Sequence, residues 1–428
     1  MLNIDYIREN SDKVKKSTTA KNVDGSLVDR LLEIDKKRRE LLQDVEGFRA
    51  KRNKLTKDDI EEGKKLKEEL KEKEESLRQI EDDFKSLLWK IPNIVSEDTP
   101  IGKDESENKV IRSWGKPKEF DFTPKNHLEL GRDLGIIDTE TAGKVTGARF
   151  NYLKGDAVLL QNAFYQFALS VLTDEKVLKK IADKVENGYS AKTFTPIIPP
   201  LFINPEVYTK MARLSPETEI ERYAVPRDNQ YLIGSAEHTL GPMHMDQTLM
   251  ENNLPLRYFA LTPAFRREAG SYGKDTKGIL RQHQFDKLEM ESFTTSENGI
   301  KEQNFFVAID EYMMQSLEIP YQIVAICTGD MGGPDYRQMD IESWMPGENK
   351  YRETHTSDYM TDYQSRRLGT KVKIGDKTEY VHMNDATAFA MGRMIIAILE
   401  NFQNKDGSIN IPEVLQKWMG KEKIEKIN

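Results

Sequence analysis

The chain has 428 residues, of which 37% are hydrophobic and 32% are charged, a composition that suits two or three domains with one segment mostly at the surface. Its single cysteine, Cys327, excludes an internal disulfide framework and a thiolate metal cluster. The formal net charge of −8 argues against nonspecific nucleic-acid binding by the whole surface, so any RNA contact must use local basic patches. The sequence shows no signal-peptide pattern and no run long enough to span a bilayer, so we expect a cytoplasmic protein.

Two heptad patterns near the N-terminus predict a helical hairpin. Hydrophobic residues recur in steps of three and four over 27–55 and again over 66–91, with an interruption at 56–63. Ser26 is a possible N-cap of the first helix, and Pro92 ends the second. At about 1.5 Å per residue, the antiparallel hairpin should be roughly 40 Å long. Most charged heptad helices are dimerisation rods, but the matched lengths and the basic clusters along both helices favour an outstretched arm.

Residues 92–125 are rich in proline, glycine and acidic residues, which predicts a linker between the arm and a folded body. In the body, 157–172 reads as a long apolar helix. The stretch 193–202, TFTPIIPPLF, is β-branched and interrupted by prolines, which indicates an edge or interface strand. The sequence QYLIGSAE at 230–237 indicates a short strand that ends in small and acidic residues.

The stretch 256–290 predicts two strands joined by a loop. Side chains that alternate along an extended chain should bring Arg266, Glu268, Arg281, Phe285 and Glu289 to one surface. The residues between the strands include three glycines, which suits a mobile, charged hairpin loop. For any single residue, an amphipathic hairpin with a solvated charged face would be the simpler interpretation.

Two later stretches complete the body. YQIVAICTG at 321–329 is almost continuously apolar and predicts a buried central strand. NDATAFAMGRMIIAILENFQ at 384–403 begins with small residues, which let a helix start close to a neighbouring backbone, and continues as a core helix. Arg393 is the lone arginine in this apolar setting and is therefore a candidate functional residue.

The run from 256 to 290 resembles motif 2 of the class II aminoacyl-tRNA synthetases, in the form FR.EAGSYG.DT.G..R.HQFDK.EM of seryl-tRNA synthetases. The stretches 193–202 and 384–403 occupy the places of motifs 1 and 3, with Pro199 or Pro200 as the motif 1 proline. The resemblance implies an α+β fold: an N-terminal antiparallel two-helix coiled-coil arm, then a class II catalytic domain with a mainly antiparallel sheet flanked by helices. It implies a tRNA-binding domain over 1–105 and a catalytic domain over 106–428.

The family resemblance also implies the reaction. Such an enzyme activates L-serine with ATP to seryl-adenylate and transfers the seryl group to tRNA(Ser); tRNA(Sec) is a further acceptor that the sequence leaves open. By the same resemblance, the arm is expected to grip the tRNA and motif 1 to form a homodimer. Because a carboxylate must meet the α-phosphate of ATP, the site has to supply positive charge there. By resemblance, Arg266 contacts both anions and Arg393 reaches the outer phosphates, so these two are the expected catalytic residues.

The resemblance assigns the remaining site residues to two groups. The residues expected to bind serine are Ser235, Ala236, Glu237, Arg266, Glu289 and Thr387. The residues expected to bind ATP are Arg266, Arg267, Glu268, Arg281, Phe285, Glu353, Thr354, His355, Thr356 and Arg393. Glu353 and Thr356 are also the expected ligands of Mg²⁺. The chain departs from the commonest family pattern at three places: Ser235 replaces threonine, Thr354 to Thr356 replace an Ile/Ser/Ser-like triplet, and Asp385 to Ala388 replace NGSG.

Two other functions are compatible with parts of this pattern. A catalytically idle relative could keep the coiled coil as an interaction module, but loss of Arg266, Glu289 or Arg393 would then be expected, and all three are present. A ligase that charges a carrier protein needs no basic arm, which the chain has in full. The sequence therefore favours a serine-activating enzyme that acts on tRNA.

Overall fold

A computed structural model describes residues 1–55, 59–269 and 278–426 of the chain. Its helices are α1 (Ile4–Glu9), α2 (Ser11–Ala20), α3 (Ser26–Arg52), α4 (Ile60–Lys90), α5 (His127–Asp133), α6 (Thr139–Val145), α7 (Asp156–Leu172), α8 (Glu175–Val185), α9 (Pro205–Lys210), α10 (Glu237–Leu240), α11 (Gly299–Ser316), α12 (Ser365–Leu368), α13 (Met391–Asn401) and α14 (Glu413–Met419). Its strands are β1 (Lys109–Trp114), β2 (Ile137–Asp138), β3 (Tyr152–Leu153), β4 (Thr195–Pro196), β5 (Phe202–Ile203), β6 (Ala224–Val225), β7 (Gln230–Leu232), β8 (Thr248–Met250), β9 (Leu256–Phe265), β10 (Gln284–Thr294), β11 (Tyr321–Ala325), β12 (Arg337–Met345), β13 (Lys350–Thr361), β14 (Lys371–Ile374), β15 (Lys377–Tyr380), β16 (His382–Ala390), β17 (Ile409–Asn410) and β18 (Lys423–Ile424). The predicted α+β class is confirmed.

Helices α3 and α4 form the predicted antiparallel arm. Arg49 on α3 pairs with Glu74 on α4 at 2.7 Å, and the Arg38 guanidinium lies 4.6 Å from the ring centre of Phe84. In the outer half, a separate hydrophobic cluster centred on the buried Val45, Leu70 and Leu77 holds the two helices together. The arm is thus stabilised along its length by its own heptad contacts.

The ends of the two arm helices differ slightly from the prediction. Ser26 is the first residue of α3 and not its N-cap; the side chain of Asp24 accepts hydrogen bonds from the Ser26 backbone N–H at 2.9 Å and from its hydroxyl at 2.7 Å. Helix α4 begins at Ile60, so the interruption is shorter than the predicted 56–63. Residues 56–58 of that interruption lie outside the described residues.

The base of the arm packs with α1 and α2 and against the body. Its buried cluster consists of Leu2, Ile7, Val14, Val28, Leu31, Leu87, Leu88, Ile91 and Tyr363. The buried Lys21 ammonium group donates to the backbone carbonyls of Gly332, Gly333 and Asp335. Burial lowers the pKa of Lys21 to about 8. These contacts fix the base of the arm to the body.

The central sheet of the described residues has eight strands in the order β1-β11-β12-β13-β16-β10-β9-β4. All neighbouring pairs are antiparallel except β4 and β9. The prediction of a central strand at 321–329 is wrong in position, because β11 is second from the edge. The edge strand β1 comes from the predicted linker and pairs with β11, whose apolar residues Tyr321, Ile323 and Ala325 are buried in the main hydrophobic core.

The predicted hairpin of 256–290 is formed by β9 and β10. Ala264 lies opposite Phe285, Thr262 opposite Lys287 and Ala260 opposite Glu289. The strands are shorter than predicted, so Arg266, Glu268 and Arg281 lie just beyond the ladder, and one further hydrogen bond joins the Arg266 N–H to the His283 carbonyl at 3.0 Å. The expected mobile loop lies almost entirely in 270–277, outside the described residues.

Two further predictions of elements need correction. The stretch 193–202 contributes only the two-residue strand β4 to the sheet, since its prolines have no N–H for a longer ladder. The small residues of 384–390 belong to the strand β16, and the helix α13 starts only at Met391. Pairing with β10 and β13 on both sides explains this preference for a strand. No helix in the described part of the chain is both long and apolar enough to cross a bilayer.

Candidate active site

A cavity of about 260 Å³ lies where the hairpin of β9 and β10 meets β13, β16 and α13. On β10, Phe285 and Lys287 line this cavity, while Leu288 and Met290 enter the main hydrophobic core. This alternation follows from the period of two in a strand. The predicted site residues that line the cavity are Arg266, Glu268, Arg281, Phe285, Glu353, Thr354, Thr356, Thr387 and Arg393.

Two of the cavity arginines are held by carboxylates of the same wall. The Nη1 atom of Arg393 lies 3.0 Å from Glu353 Oε1 and donates to the Glu353 backbone carbonyl at 2.8 Å. The Nη1 atom of Arg281 lies 2.8 Å from Glu268 Oε2. The attraction of the Arg393 guanidinium holds the pKa of Glu353 below its usual value. The guanidinium groups are therefore oriented along the cavity before any anion arrives.

Arg266 is oriented differently. Its Nε donates to the Gly234 carbonyl at 3.0 Å, and its guanidinium carbon lies 5.5 Å from the ring centre of Phe285. Among the described residues, the terminal nitrogens of Arg266 have no hydrogen-bond partner. A guanidinium presents its N–H groups as a planar fork that matches a carboxylate or phosphate. Arg266 can thus bind an anion beside the flat face of Phe285.

Lys287 connects the cavity to a second, more buried group of residues. Its Nζ lies 2.7 Å from Glu289 Oε2 and donates to Ser235 Oγ at 3.3 Å. Thr387 lies opposite Glu289 in the ladder of β10 and β16. Burial raises the pKa of the Glu289 carboxyl, and the Lys287 ammonium group partly opposes this. The structure therefore brings three of the predicted serine-binding residues together around one lysine.

Glu237, at the start of α10, is held from two sides. Arg213 Nε lies 3.0 Å from Glu237 Oε1, and His238 Nε2 lies 3.3 Å from the same oxygen. The Gly234 N–H donates to His238 Nδ1 at 3.0 Å, so the neutral ring carries its proton on Nε2. Burial lowers the pKa of His238 to about 3, which keeps it neutral. Glu237 thus remains an ionised hydrogen-bond acceptor at the bottom of the site.

Comparisons with known proteins show to which family the chain belongs. A model of the seryl-tRNA synthetase N-terminal domain matches residues 1–95, and a model of the class II tRNA synthetase core domain (G, H, P, S and T) matches 222–402. The serine–tRNA ligase of Petrotoga mobilis is 39% identical over 99% of this chain and 100% of its own length. The chain belongs to the seryl-tRNA synthetase family.

Solved structures of the family have the same fold as this synthetase. The seryl-tRNA synthetase of Pyrococcus horikoshii, solved with ATP, superposes with a TM-score of 0.91 at 34% identity, and all of both chains is covered. The cytoplasmic serine–tRNA ligase of Naegleria fowleri, solved with AMP, gives a TM-score of 0.88 at 30% identity and covers 100% of this chain and 99% of its own. The similarity extends over the arm and the body.

Several residues predicted for the synthetase site lie outside the cavity lining. Ser235, Ala236, Glu237 and Glu289 are buried and do not line it, although Ser235 and Glu289 contact Lys287. The Arg267 guanidinium lies over the Tyr223 ring at 5.9 Å. The His355 ring packs against Phe389 with ring centres 5.8 Å apart, and burial lowers the pKa of His355 to about 3.

In the triplet Thr354 to Thr356 of β13, the two threonines face the cavity and His355 faces the core. Thr356 donates to the Asp340 carboxylate, and Thr354 Oγ1 hydrogen-bonds Ser343 Oγ at 2.7 Å. A bulge at Thr354 turns His355 opposite Ile341 and toward the core. Of the three residues, Thr354 and Thr356 line the cavity.

Sequence reasoning did not assign four residues that the synthetase places in or next to the site: Lys287, Arg213, Asp335 and Asp340. The alternation of Phe285, Lys287 and Glu289 on β10 was a usable signal for Lys287. Arg213 follows α9, and its Nη2 lies 3.6 Å from Asp385 and 4.0 Å from Asp335. These contacts join distant parts of the chain, so no local pattern could have found them.

Proposed function

We propose that the cavity is the adenylation site at which this synthetase activates L-serine with ATP before transfer to tRNA(Ser). The observation that carries the proposal is that Arg266, Arg281 and Arg393 line one cavity. In the first step a serine carboxylate oxygen attacks the α-phosphorus and pyrophosphate leaves. In the second, a terminal ribose hydroxyl of the tRNA attacks the carbonyl carbon and AMP leaves. The first step needs no general base, because the attacking carboxylate is already ionised.

The roles of the cavity residues follow from their orientation. Arg266 binds the serine carboxylate and the α-phosphate, and thereby reduces the repulsion between two anions that must approach each other. Adenine stacks on the ring of Phe285, and the neighbouring guanidinium adds a cation–π contact. Arg281 and Arg393 bind the outer phosphates, and Glu268 accepts a hydrogen bond from the adenine amino group.

Mg²⁺ is proposed as the metal that accompanies ATP. The donor set fits, because Glu353, Asp340 and Thr356 offer oxygen atoms and Mg²⁺ prefers oxygen ligands. Burial and the neighbouring Glu353 carboxylate raise the pKa of Asp340, so a cation between the two is favourable. When bound, the ion neutralises charge on the departing pyrophosphate.

Serine is selected by polar side chains next to Lys287, one in the cavity lining and two more deeply buried. Ser235, Glu289 and Thr387 supply hydrogen-bond partners for the ammonium and hydroxyl groups of the substrate. Alanine would leave these buried polar groups unpaired, and such a loss discriminates on the order of 10⁴-fold.

The arm and the dimer complete the proposal. The basic arm holds tRNA(Ser) by its shape and backbone, in a domain that ends near residue 105, and this binding should weaken with salt. Two copies associate through the segment 193–202, and the enzyme acts in the cytoplasm. A charging assay with purified tRNA(Ser) and tRNA(Sec) tests whether both are acceptors.

The test is serine-dependent exchange of pyrophosphate into ATP by purified Arg266→Ala and Arg267→Ala proteins. Arg266→Ala should lower the exchange rate on the order of 100-fold or more, since one preorganised cationic donor contributes about that factor. Arg267→Ala, which removes the neighbouring guanidinium over Tyr223, should retain near-normal exchange. A full amino-acid panel with the unmodified protein should show serine as the best of the standard amino acids. Near-normal exchange by Arg266→Ala would contradict the assignment of the site.

A further inference from the structure

The sheet beneath the serine pocket carries a row of three carboxylates. Asp358 on β13 lies directly opposite Asp385 on β16, and Asp385 lies directly opposite Glu291 on β10. Residues opposite each other in antiparallel strands have Cβ atoms about 4.5–5.5 Å apart and point to the same face. Glu289 and Thr387 share that face, because they are two residues away on the same strands. The row therefore lies next to the proposed serine pocket, one step beyond Glu289 and Thr387 on the same face of the sheet.

These three carboxylates are buried and poorly compensated. Asp358, Asp385 and Glu291 are 5%, 1% and 0% exposed. Both oxygens of Asp385, both oxygens of Glu291 and one oxygen of Asp358 have no hydrogen-bond partner. Among the described residues, neither Asp358 nor Glu291 forms an ion pair. A buried carboxylate without a partner is strongly unfavourable, so the row must either hold protons or receive a cation.

The resident cations are already engaged nearby. Carboxylate oxygens of Glu237, Glu289 and Asp385 all lie within 4.8 Å of one another. Arg213 lies 3.0 Å from Glu237 and 3.6 Å from Asp385, and Lys287 lies 2.7 Å from Glu289. The α-ammonium group of serine can compensate one further carboxylate. Asp358 lies within the field of the buried Lys21, so the excess negative charge is greatest at Glu291.

We infer that the pocket accepts an amino acid with a second ammonium group on a short side chain, of the class of L-2,3-diaminopropionate, in addition to serine. The inference rests on the proposed function, because the carboxylate and α-ammonium groups are held as those of serine are. L-2,3-diaminopropionate has the shape of serine with an ammonium group in place of the hydroxyl. Its three N–H donors match acceptors that lack a partner. A divalent metal at this point is disfavoured, because the Arg213 guanidinium lies 3.6 Å from Asp385.

The reaction is the same adenylation. An oxygen of the substrate carboxylate forms a bond to the α-phosphorus, the bond to pyrophosphate breaks, and the side-chain ammonium group is unchanged. The positive charge of this ammonium group serves only to pair with the carboxylates of the row. The preference for L-2,3-diaminopropionate over alanine therefore depends on the negative charge at Glu291 and Asp385, while the reaction itself is unchanged.

The experiment measures pyrophosphate exchange by the full-length protein with L-serine, L-2,3-diaminopropionate and L-alanine. The kcat/KM for L-2,3-diaminopropionate should lie within about tenfold of that for serine and about 100-fold or more above that for alanine. Glu291→Gln should lower the value for L-2,3-diaminopropionate by about tenfold or more and leave serine within about threefold, since the side-chain ammonium group then faces an uncharged amide in place of a carboxylate. Retained serine exchange shows that the variant is folded.

Asp310→Asn is the matched control. Asp310 is another buried carboxylate whose two oxygens have no hydrogen-bond partner, but it lies on α11, outside the row. Its neutral variant should leave the ratio of the two substrates unchanged. The inference is overturned if L-2,3-diaminopropionate behaves like alanine while serine is activated, or if Glu291→Gln affects both substrates equally. Exchange with neither amino acid would overturn the proposed function together with it.

Discussion

Lys287 lies between the cavity proposed to bind ATP and the buried residues proposed to bind serine. Its replacement should weaken serine binding much more than ATP binding. In Lys287→Met the Glu289 carboxylate loses the cation at 2.7 Å and remains fully buried. The KM for serine should rise by about tenfold or more, as expected for a buried charge that loses its partner, while the KM for ATP changes much less. The measurement is pyrophosphate exchange with each substrate varied, and Lys287→Arg should restore part of the loss. Equal changes in both constants would contradict this role.

The same residue predicts a pH dependence. Burial raises the pKa of Glu289, and Lys287 lowers it part of the way back. In the proposed role the ionised Glu289 carboxylate binds the substrate ammonium group, so the KM for serine should increase as pH falls through that raised pKa. Without Lys287 the pKa is higher still, so in Lys287→Met the increase should begin at a higher pH. A pH profile of the serine KM for both proteins tests this; identical profiles would count against it.

At the scale of residues, the resemblance to seryl-tRNA synthetases could identify charged side chains that lie within a contiguous sequence motif. Arg266, Arg281 and Arg393 were predicted, and all line the cavity. Arg213 could not be predicted, because it reaches Glu237 and Asp385 only through the packing of α9, α10 and β16. His355 shows the opposite error: its position in a functional triplet suggested a ligand contact, but a bulge turns it toward the core.

At the scale of elements, periodicity identified the arm helices, α7 and the hairpin of β9 and β10. It failed where a neighbouring element decides the conformation. The residues of β16 are small and suit the start of a helix, but strands on both sides pair with them. The edge strand β1 lies in a segment whose composition indicated a linker, since all of its residues are exposed. Tertiary pairing outweighs local propensity in both cases.

The helix α5 illustrates an element that positions the site from outside. His127, its first residue, has Nδ1 3.1 Å from Glu400 Oε1, and its Nε2 accepts a hydrogen bond from the Ile279 N–H at 3.4 Å. The next carbonyl, that of Leu280, accepts from Arg393 Nε at 3.4 Å. We therefore expect His127 to position the chain that enters the cavity after the hairpin loop.

His127→Ala should raise the KM for ATP by about tenfold, the effect of roughly one lost hydrogen bond to the cavity wall, with a smaller change for serine. His127→Gln keeps an acceptor and should recover part of the loss. His244→Ala is the control. His244 Nε2 lies 2.9 Å from the Tyr258 hydroxyl, and His244 does not line the cavity. A fall in kcat with an unchanged KM for ATP would argue against positioning.

For the whole molecule, the family could be recognised from the order of arm, motifs and linker, but the attachment of the arm to the body could not. Val28, Leu31, Leu87 and Leu88 share one core with α1, α2 and Tyr363 of the body. Removing the entire arm would expose this core. A functional test of the arm must therefore cut above its base, in the outer cluster around Val45, Leu70 and Leu77.

Replacing residues 41–80 by a short turn should leave adenylate formation intact and impair transfer to tRNA. Pyrophosphate exchange should stay within about twofold of the full-length protein, whereas kcat/KM for tRNA(Ser) should fall on the order of 100-fold, because several phosphate contacts are lost together. The triple variant Lys64→Gln, Lys65→Gln, Lys67→Gln should weaken tRNA binding and reduce its dependence on salt, since these side chains are exposed along the arm. The same change at Lys116 and Lys118, exposed on the body, is the control. If the shortened protein lost exchange and transfer to the same extent, the arm would be part of the catalytic body and not a separate tRNA-binding element.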